Sequence, residues 1–195
     1  MLVPKPVVFV VSLLPLLWVL WQGVSGGLGP DPGKTLVLET GIWAFRFLLI
    51  TLAISPLIKI FGLSRLFRYR RMLGLFVWFY ASLHFCAVWT YLLGWSWSVF
   101  FEEFSERPYM AVGIIAWLLL LPLGLTSNRW SQRKLGRRWK TLHQLVYVIG
   151  ILVCIHFIWL VRSDYGEALL YSALMALLLL LRLPGVNRRL YQSAA

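Results

Sequence analysis

The stretch TLHQLVYVIGILVCIHFIWLV, residues 141 to 161, decides how the chain is read. At 1.5 Å per residue it is long enough to cross the roughly 30 Å hydrocarbon core of a bilayer. It also carries His143 and His156, two of the chain's three histidines. An imidazole placed in hydrocarbon must find a partner, so an intramembrane histidine is by default a site hypothesis. The third, His84, lies in another apolar run. The question is whether these rings hold a redox cofactor or only join helices by hydrogen bonds.

Working outward, the 195 residues are 60% hydrophobic with a mean hydropathy of +0.77, far outside the soluble range. Six runs are long and apolar enough to be spans: Val7 to Gln22, Gly41 to Phe61, Met72 to Leu93, Pro108 to Thr126, Thr141 to Val161 and Gly166 to Leu183. The expected fold is an all-α membrane protein, a six-transmembrane-helix bundle forming one domain over residues 1–195. The first run follows Lys5 and precedes small residues, as a secretory signal would. It ends on Trp18 and Trp21 without an A-x-A-like site, so it reads as a retained membrane helix.

Charge sorts by loop. One side collects Lys5, Lys59, Arg65, Arg68, Arg70, Arg71, Arg129, Arg133, Lys134, Arg137, Arg138, Lys140, Arg182, Arg188 and Arg189, fifteen of the 19 basic residues. All seven acids, Asp31, Glu39, Glu102, Glu103, Glu106, Asp164 and Glu167, fall on the other, with Lys34, Arg107 and Arg162. The positive-inside rule then puts both termini in the cytoplasm. The net charge of +12 reads as a topology signal and a contact for anionic membrane lipid. The interleaved RWSQRKLGRRWK of residues 129–140 needs no nucleic-acid partner.

Between the first two runs, residues 23–41 are rich in Gly and Pro and read as a loop. Arg46 lies inside the second run, either snorkelling outward or contacting a propionate or quinone head group. Residues 94–107 mix aromatic and acidic side chains, reading first as a short amphipathic helix in the interface and second as a docking surface. The fourth run offers packing residues, Gly113 and Pro122 among them, and no chemistry. Cys86 and Cys154 form no C-x-x-C-H, which excludes covalent haem attachment. No internal repeat is expected.

The histidines define two levels. His84 lies about 18 Å along its helix from Met72, past the midplane, and His156 lies about 20 Å beyond His143. His84 and His156 thus share the outer half of the membrane, where two imidazoles can bind both faces of one b-type haem. The competing reading is a pair of interhelical hydrogen bonds worth about 0.6–2 kcal/mol. His143 sits at the inner level, where a second haem would complete an electron path, but no fourth histidine faces it. Arg70, about 21 Å inward from His84 and within about 40° of the same helix face, occupies that place. It reads as an unusual iron ligand, a propionate contact, or a topology charge only.

With the six spans, RRMLGLFVWFYASLHF (residues 70–85) and RRWKTLHQLVYVIGILVCIHFIW (residues 137–159) resemble the ferric-reductase-like transmembrane superfamily. Within it the likeness is to the haem-binding membrane subunits of bacterial periplasmic methionine sulfoxide reductase systems. Superfamily relatives usually carry two histidines on the third helix, whereas here Arg70 stands in place of the first. The resemblance implies an electron-transfer subunit in the inner membrane. Electrons would come from the quinone pool or a cytoplasmic flavin reductase, pass through haem b, one or two per chain, with FMN as a further cofactor, and reach a periplasmic molybdopterin-containing catalytic subunit. Its implied site residues are His84, His156, His143 and Arg70, the three histidines as axial ligands.

Two rivals belong to other classes. A stand-alone ferric or cupric metalloreductase would need a fused flavin and NAD(P)H domain, for which the 12 residues after Leu183 leave no room. A non-redox scaffold or transporter would be colourless.

Overall fold

The computed structural model describes residues 3–183, so Arg188, Arg189 and the helix-closing Pro184 lie outside the described residues. Every regular element among the described residues is helical: α1 Lys5–Ser25, α2 Pro32–Phe61, α3 Phe67–Ala87, α4 Trp97–Glu106, α5 Pro108–Leu125, α6 Arg129–Leu135, α7 Arg137–His143, α8 Leu145–Leu160 and α9 Gly166–Leu180. Five of them are long and apolar enough to cross a membrane: α1, α2, α3 with its flanking turns, α5, and α7 with α8. The predicted sixth span appears as α9, an apolar helix of 15 residues, about 22 Å long.

One boundary is corrected. The expected loop over residues 23–41 is short, because α2 begins at Pro32. Asp31 caps it, its side chain accepting from the Lys34 N–H at 3.0 Å, and proline at the first position gives up no helical hydrogen bond. Gly26 and Gly62 close α1 and α2 in the left-handed region, at φ 75° and 67°, where glycine avoids the Cβ penalty.

Two helix pairs form the frame, α2 along α3 and α5 along α8, with α3 touching α5 and α9 lying on α8 and α2. The core runs through Phe45, Leu48, Leu52, Phe76, Tyr80, Leu120, Ile149 and Met175. Phe47 stacks on Phe76 at 5.4 Å and on Tyr80 at 5.1 Å, binding α2 to α3. Outward-facing apolar residues such as Trp18 and Trp21 are exposed, which suits lipid as the solvent.

Prolines inside these helices free backbone carbonyls, and side chains from other helices answer them. Pro56 cannot donate to Leu52, and the Leu52 carbonyl accepts from Arg182 Nη2 at 2.5 Å. Near Pro15, the Tyr80 hydroxyl donates to the Ser12 carbonyl at 2.8 Å and accepts from the Leu16 N–H at 3.2 Å. These are the two groups an uninterrupted helix would pair, so α1 is bolted to α3 beside Pro15. The aromatic acidic segment folds as α4, capped by Ser96 accepting from the Val99 N–H, with Trp97 and Phe101 exposed.

Candidate functional site

His84 projects from α3 and His156 from α8, and their ring centres lie 6.3 Å apart with planes at 80°. Each ring is tied to the helix beside it. His84 Nδ1 donates to the Val37 carbonyl of α2 at 2.9 Å, and His156 Nδ1 donates to the Tyr109 carbonyl of α5 at 2.7 Å. A carbonyl can only accept, so each bond places the proton on Nδ1 and leaves Nε2 with its lone pair. The side-chain hydrogen bonds found for the two rings among the described residues both use Nδ1 and not Nε2.

That arrangement suits an iron between the rings. Metal–imidazole bonds of about 2.0–2.1 Å on both sides put the ring centres roughly 6–6.5 Å apart. A metal-ligating histidine characteristically gives its other N–H to a carbonyl or carboxylate. Contact with Val37, early in α2, and Tyr109, in the first turn of α5, puts both rings toward the end of the bundle that carries the acidic loops.

The same construction occurs twice. Both hydrogen bonds join residues 47 apart in sequence. In both, a glycine four residues beyond the accepting carbonyl lies against the ring, Gly41 under His84 and Gly113 under His156. One offset of 72 residues relates Gly41 to Gly113 and His84 to His156. The expected absence of an internal repeat is therefore corrected, and so is the reading of the fourth run as packing only. The matching sequence signal is slight, GIWA at 41–44 against GIIA at 113–116 and His-Phe at 84–85 against 156–157. Most other core positions differ between the two stretches, since hydrocarbon and neighbouring helices accept many apolar side chains.

The other level is built differently. His143 closes α7 at the break before α8, and its Nδ1 donates to the Trp139 carbonyl of its own helix at 3.0 Å. Its ring stacks on Trp139 with centres 3.8 Å apart, and Nε2 lies 3.4 Å from the Ser127 hydroxyl. The neighbouring Arg71 donates from Nε to the Ser127 carbonyl at 2.8 Å. Arg70 is half-buried on α3, within electrostatic reach of His143, Tyr147 and Arg182. Arg182 donates to the Tyr147 hydroxyl at 2.9 Å. The sequence puts Arg70 and His143 at one level and marks Arg182 only as topology charge. The Arg182–Tyr147 pair had no signal, because its partners lie 35 residues apart, one on α8 and the other just past the end of α9.

Arg46 finds its partners inside the protein. Its Nε donates to the Tyr171 hydroxyl at 3.0 Å, its guanidinium lies 4.7 Å from the Trp43 ring centre, and Glu167 is 4.0 Å away. Cys86 and Cys154 are free thiols.

Fold and site together define a class: a helical membrane protein in which two helix pairs each present one hydrogen-bonded histidine to the same space. The family described as ferric reductase like transmembrane component matches residues 40–154. Curated relatives carry the name protein-methionine-sulfoxide reductase heme-binding subunit MsrQ. The one from Xanthomonas euvesicatoria pv. vesicatoria is 48% identical over 90% of this chain and 83% of its own length. Those from Xanthomonas oryzae pv. oryzae (strain MAFF 311018) and Xanthomonas campestris pv. campestris (strain B100) are 46% and 50% identical, covering 91% and 83% of this chain and 84% and 74% of their own lengths. The chain belongs to the ferric reductase-like transmembrane family, and within it to the MsrQ branch. No solved structure matches it.

Proposed function

We propose that this chain is a b-type cytochrome, the haem-binding electron-transfer subunit of a methionine sulfoxide reductase system. The observation that carries the reading is the facing pair His84 and His156, each with Nδ1 bound to a carbonyl and Nε2 left for iron. The names of the MsrQ relatives support it. Haem held there supplies a one-electron Fe(III)/Fe(II) couple. The protein orients both imidazoles, excludes water with apolar helices and carries the couple at a set depth.

In this reading the chain forms a single ferric-reductase-like domain of six spans in a bacterial inner membrane, with both termini cytoplasmic. His143 serves a second haem at the inner level, with Arg70 beside it as propionate contact or iron ligand. Quinol or a cytoplasmic flavin reductase donates electrons, FMN assists, and a periplasmic molybdopterin-containing subunit receives them and reduces methionine sulfoxide. Sorting of the seven acids from the basic loops supports the orientation, and family membership supports the partner.

The decisive measurement is the absorption spectrum of the detergent-purified protein, oxidised and dithionite-reduced, after expression with sufficient haem. A low-spin b-type spectrum that disappears in His84→Ala and in His156→Ala is the expected result. A colourless unmodified protein overturns the proposal.

A further inference from the structure

We infer that Gly41 and Gly113 are positioning residues for the two proposed axial histidines, each forming a notch that holds an imidazole on its carbonyl acceptor. The inference rests on the proposed haem ligation and goes on to ask what sets ligand orientation and strength.

A Cβ built on Gly41 would lie 2.9 Å from His84 Nδ1 and 3.0 Å from Cε1. On Gly113 it would lie 2.7 Å from His156 Nδ1 and 2.8 Å from Cε1. In both cases the crowded atom is the nitrogen that donates to the carbonyl. A methyl group therefore cannot enter without moving the ring off its hydrogen bond. His84 and His156 sit on helices tightly paired with α2 and α5, so the ring, anchored at one end, yields before the helix does.

Other glycines show that this is not a general property of the bundle. Gly74 lies within α3, and a Cβ there would meet only the Thr51 methyl at 3.8 Å, an ordinary contact. Gly124 and Gly150 also make close approaches, but to Trp78 and Met175, apolar side chains of the core. Among the described glycines the neighbour is an imidazole only at Gly41 and Gly113, and the two are related by the same 72-residue offset as the histidines.

The chemical consequence has a sign. An Nδ1–H donated to a carbonyl makes the imidazole a stronger donor through Nε2 and fixes its plane. A stronger donor stabilises Fe(III) over Fe(II) and lowers the midpoint potential. Removing the notch weakens that bond and raises the potential, and the equivalence of the two sites predicts shifts of the same sign for both substitutions.

The test compares Gly41→Ala, Gly113→Ala and Gly74→Ala in the haem-loaded, full-length protein, by redox titration and low-temperature EPR. The expected result is a raised midpoint potential and altered low-spin g-values in Gly41→Ala and in Gly113→Ala, with Gly74→Ala matching the unmodified protein. Potentials and g-values in both variants equal to those of Gly74→Ala overturn the inference while leaving haem ligation intact. Loss of the reading beneath it is seen separately, as a low-spin spectrum that survives His84→Ala or His156→Ala. Should an alanine variant fail to assemble, pulsed EPR on the unmodified protein reads the remote nitrogens directly. Both are expected to be protonated and hydrogen-bonded, and a remote nitrogen without that signature overturns the inference.

Discussion

The acidic and basic ends of this bundle each hold histidine, yet they treat it in opposite ways. At the acidic end His84 and His156 come from different helix pairs, bind carbonyls of other helices through Nδ1 and, among the described residues, make no hydrogen bond through Nε2. At the basic end His143 binds a carbonyl of its own helix, stacks on Trp139 and turns Nε2 toward the Ser127 hydroxyl. One end presents two imidazoles across one space, as the proposed axial pair requires. The other offers one imidazole within electrostatic reach of Arg70, which in turn neighbours Tyr147 and Arg182. A histidine in a membrane helix is thus defined by the helix that accepts its second nitrogen, because that bond sets the tautomer and the direction of the free lone pair.

The largest effects that could break this contrast come from removing the proposed ligands. His84→Ala or His156→Ala is expected to abolish the low-spin signal of the acidic-end site, checked by EPR and haem content per chain. Retention of that signal in either variant would erase the difference between the ends. Next in size, His143→Ala is expected to leave that signal untouched and to cut the haem content by about half in a protein that binds two haems. A single haem per unmodified chain would assign the basic end no ligand role.

Smaller effects test the frame that holds the two ends apart. Arg182→Met orphans the Leu52 carbonyl left open by Pro56, a loss of about 1–3 kcal/mol. It is expected to lower the thermal midpoint in detergent with the acidic-end EPR signal unchanged. Tyr80→Phe withdraws the hydroxyl between Ser12 and Leu16 at a similar cost, read by the same thermal scan. The smallest change is expected from Asp31→Ala, which removes the cap of α2 for about 1 kcal/mol. Because α2 carries Val37 and Gly41, a shift in its EPR spectrum would show that the cap reaches the site.

Much of this was legible in the chain. Hydropathy placed helices where α1, α2, α3, α5, α8 and α9 lie, and the count of residues along them put His84 and His156 at matching depth. Aromatic and acidic patterning foretold α4. The Asp31-Pro32 start of α2 was also written in the sequence as a capping signal, but the glycines around it argued for a loop. The notches at Gly41 and Gly113 were not legible, since a glycine in an apolar run looks the same whether it faces lipid, a tryptophan or an imidazole.

By itself, then, the sequence determined membrane residence, the sorting of charge and the levels of the three histidines, because hydropathy and helical rise accumulate residue by residue along one strand of chain. The tertiary structure decided which rings face each other, which carbonyls hold them, and that one helix pair repeats the other 72 residues on. Those outcomes depend on backbone groups of neighbouring helices, and a backbone carbonyl leaves no mark in the order of side chains.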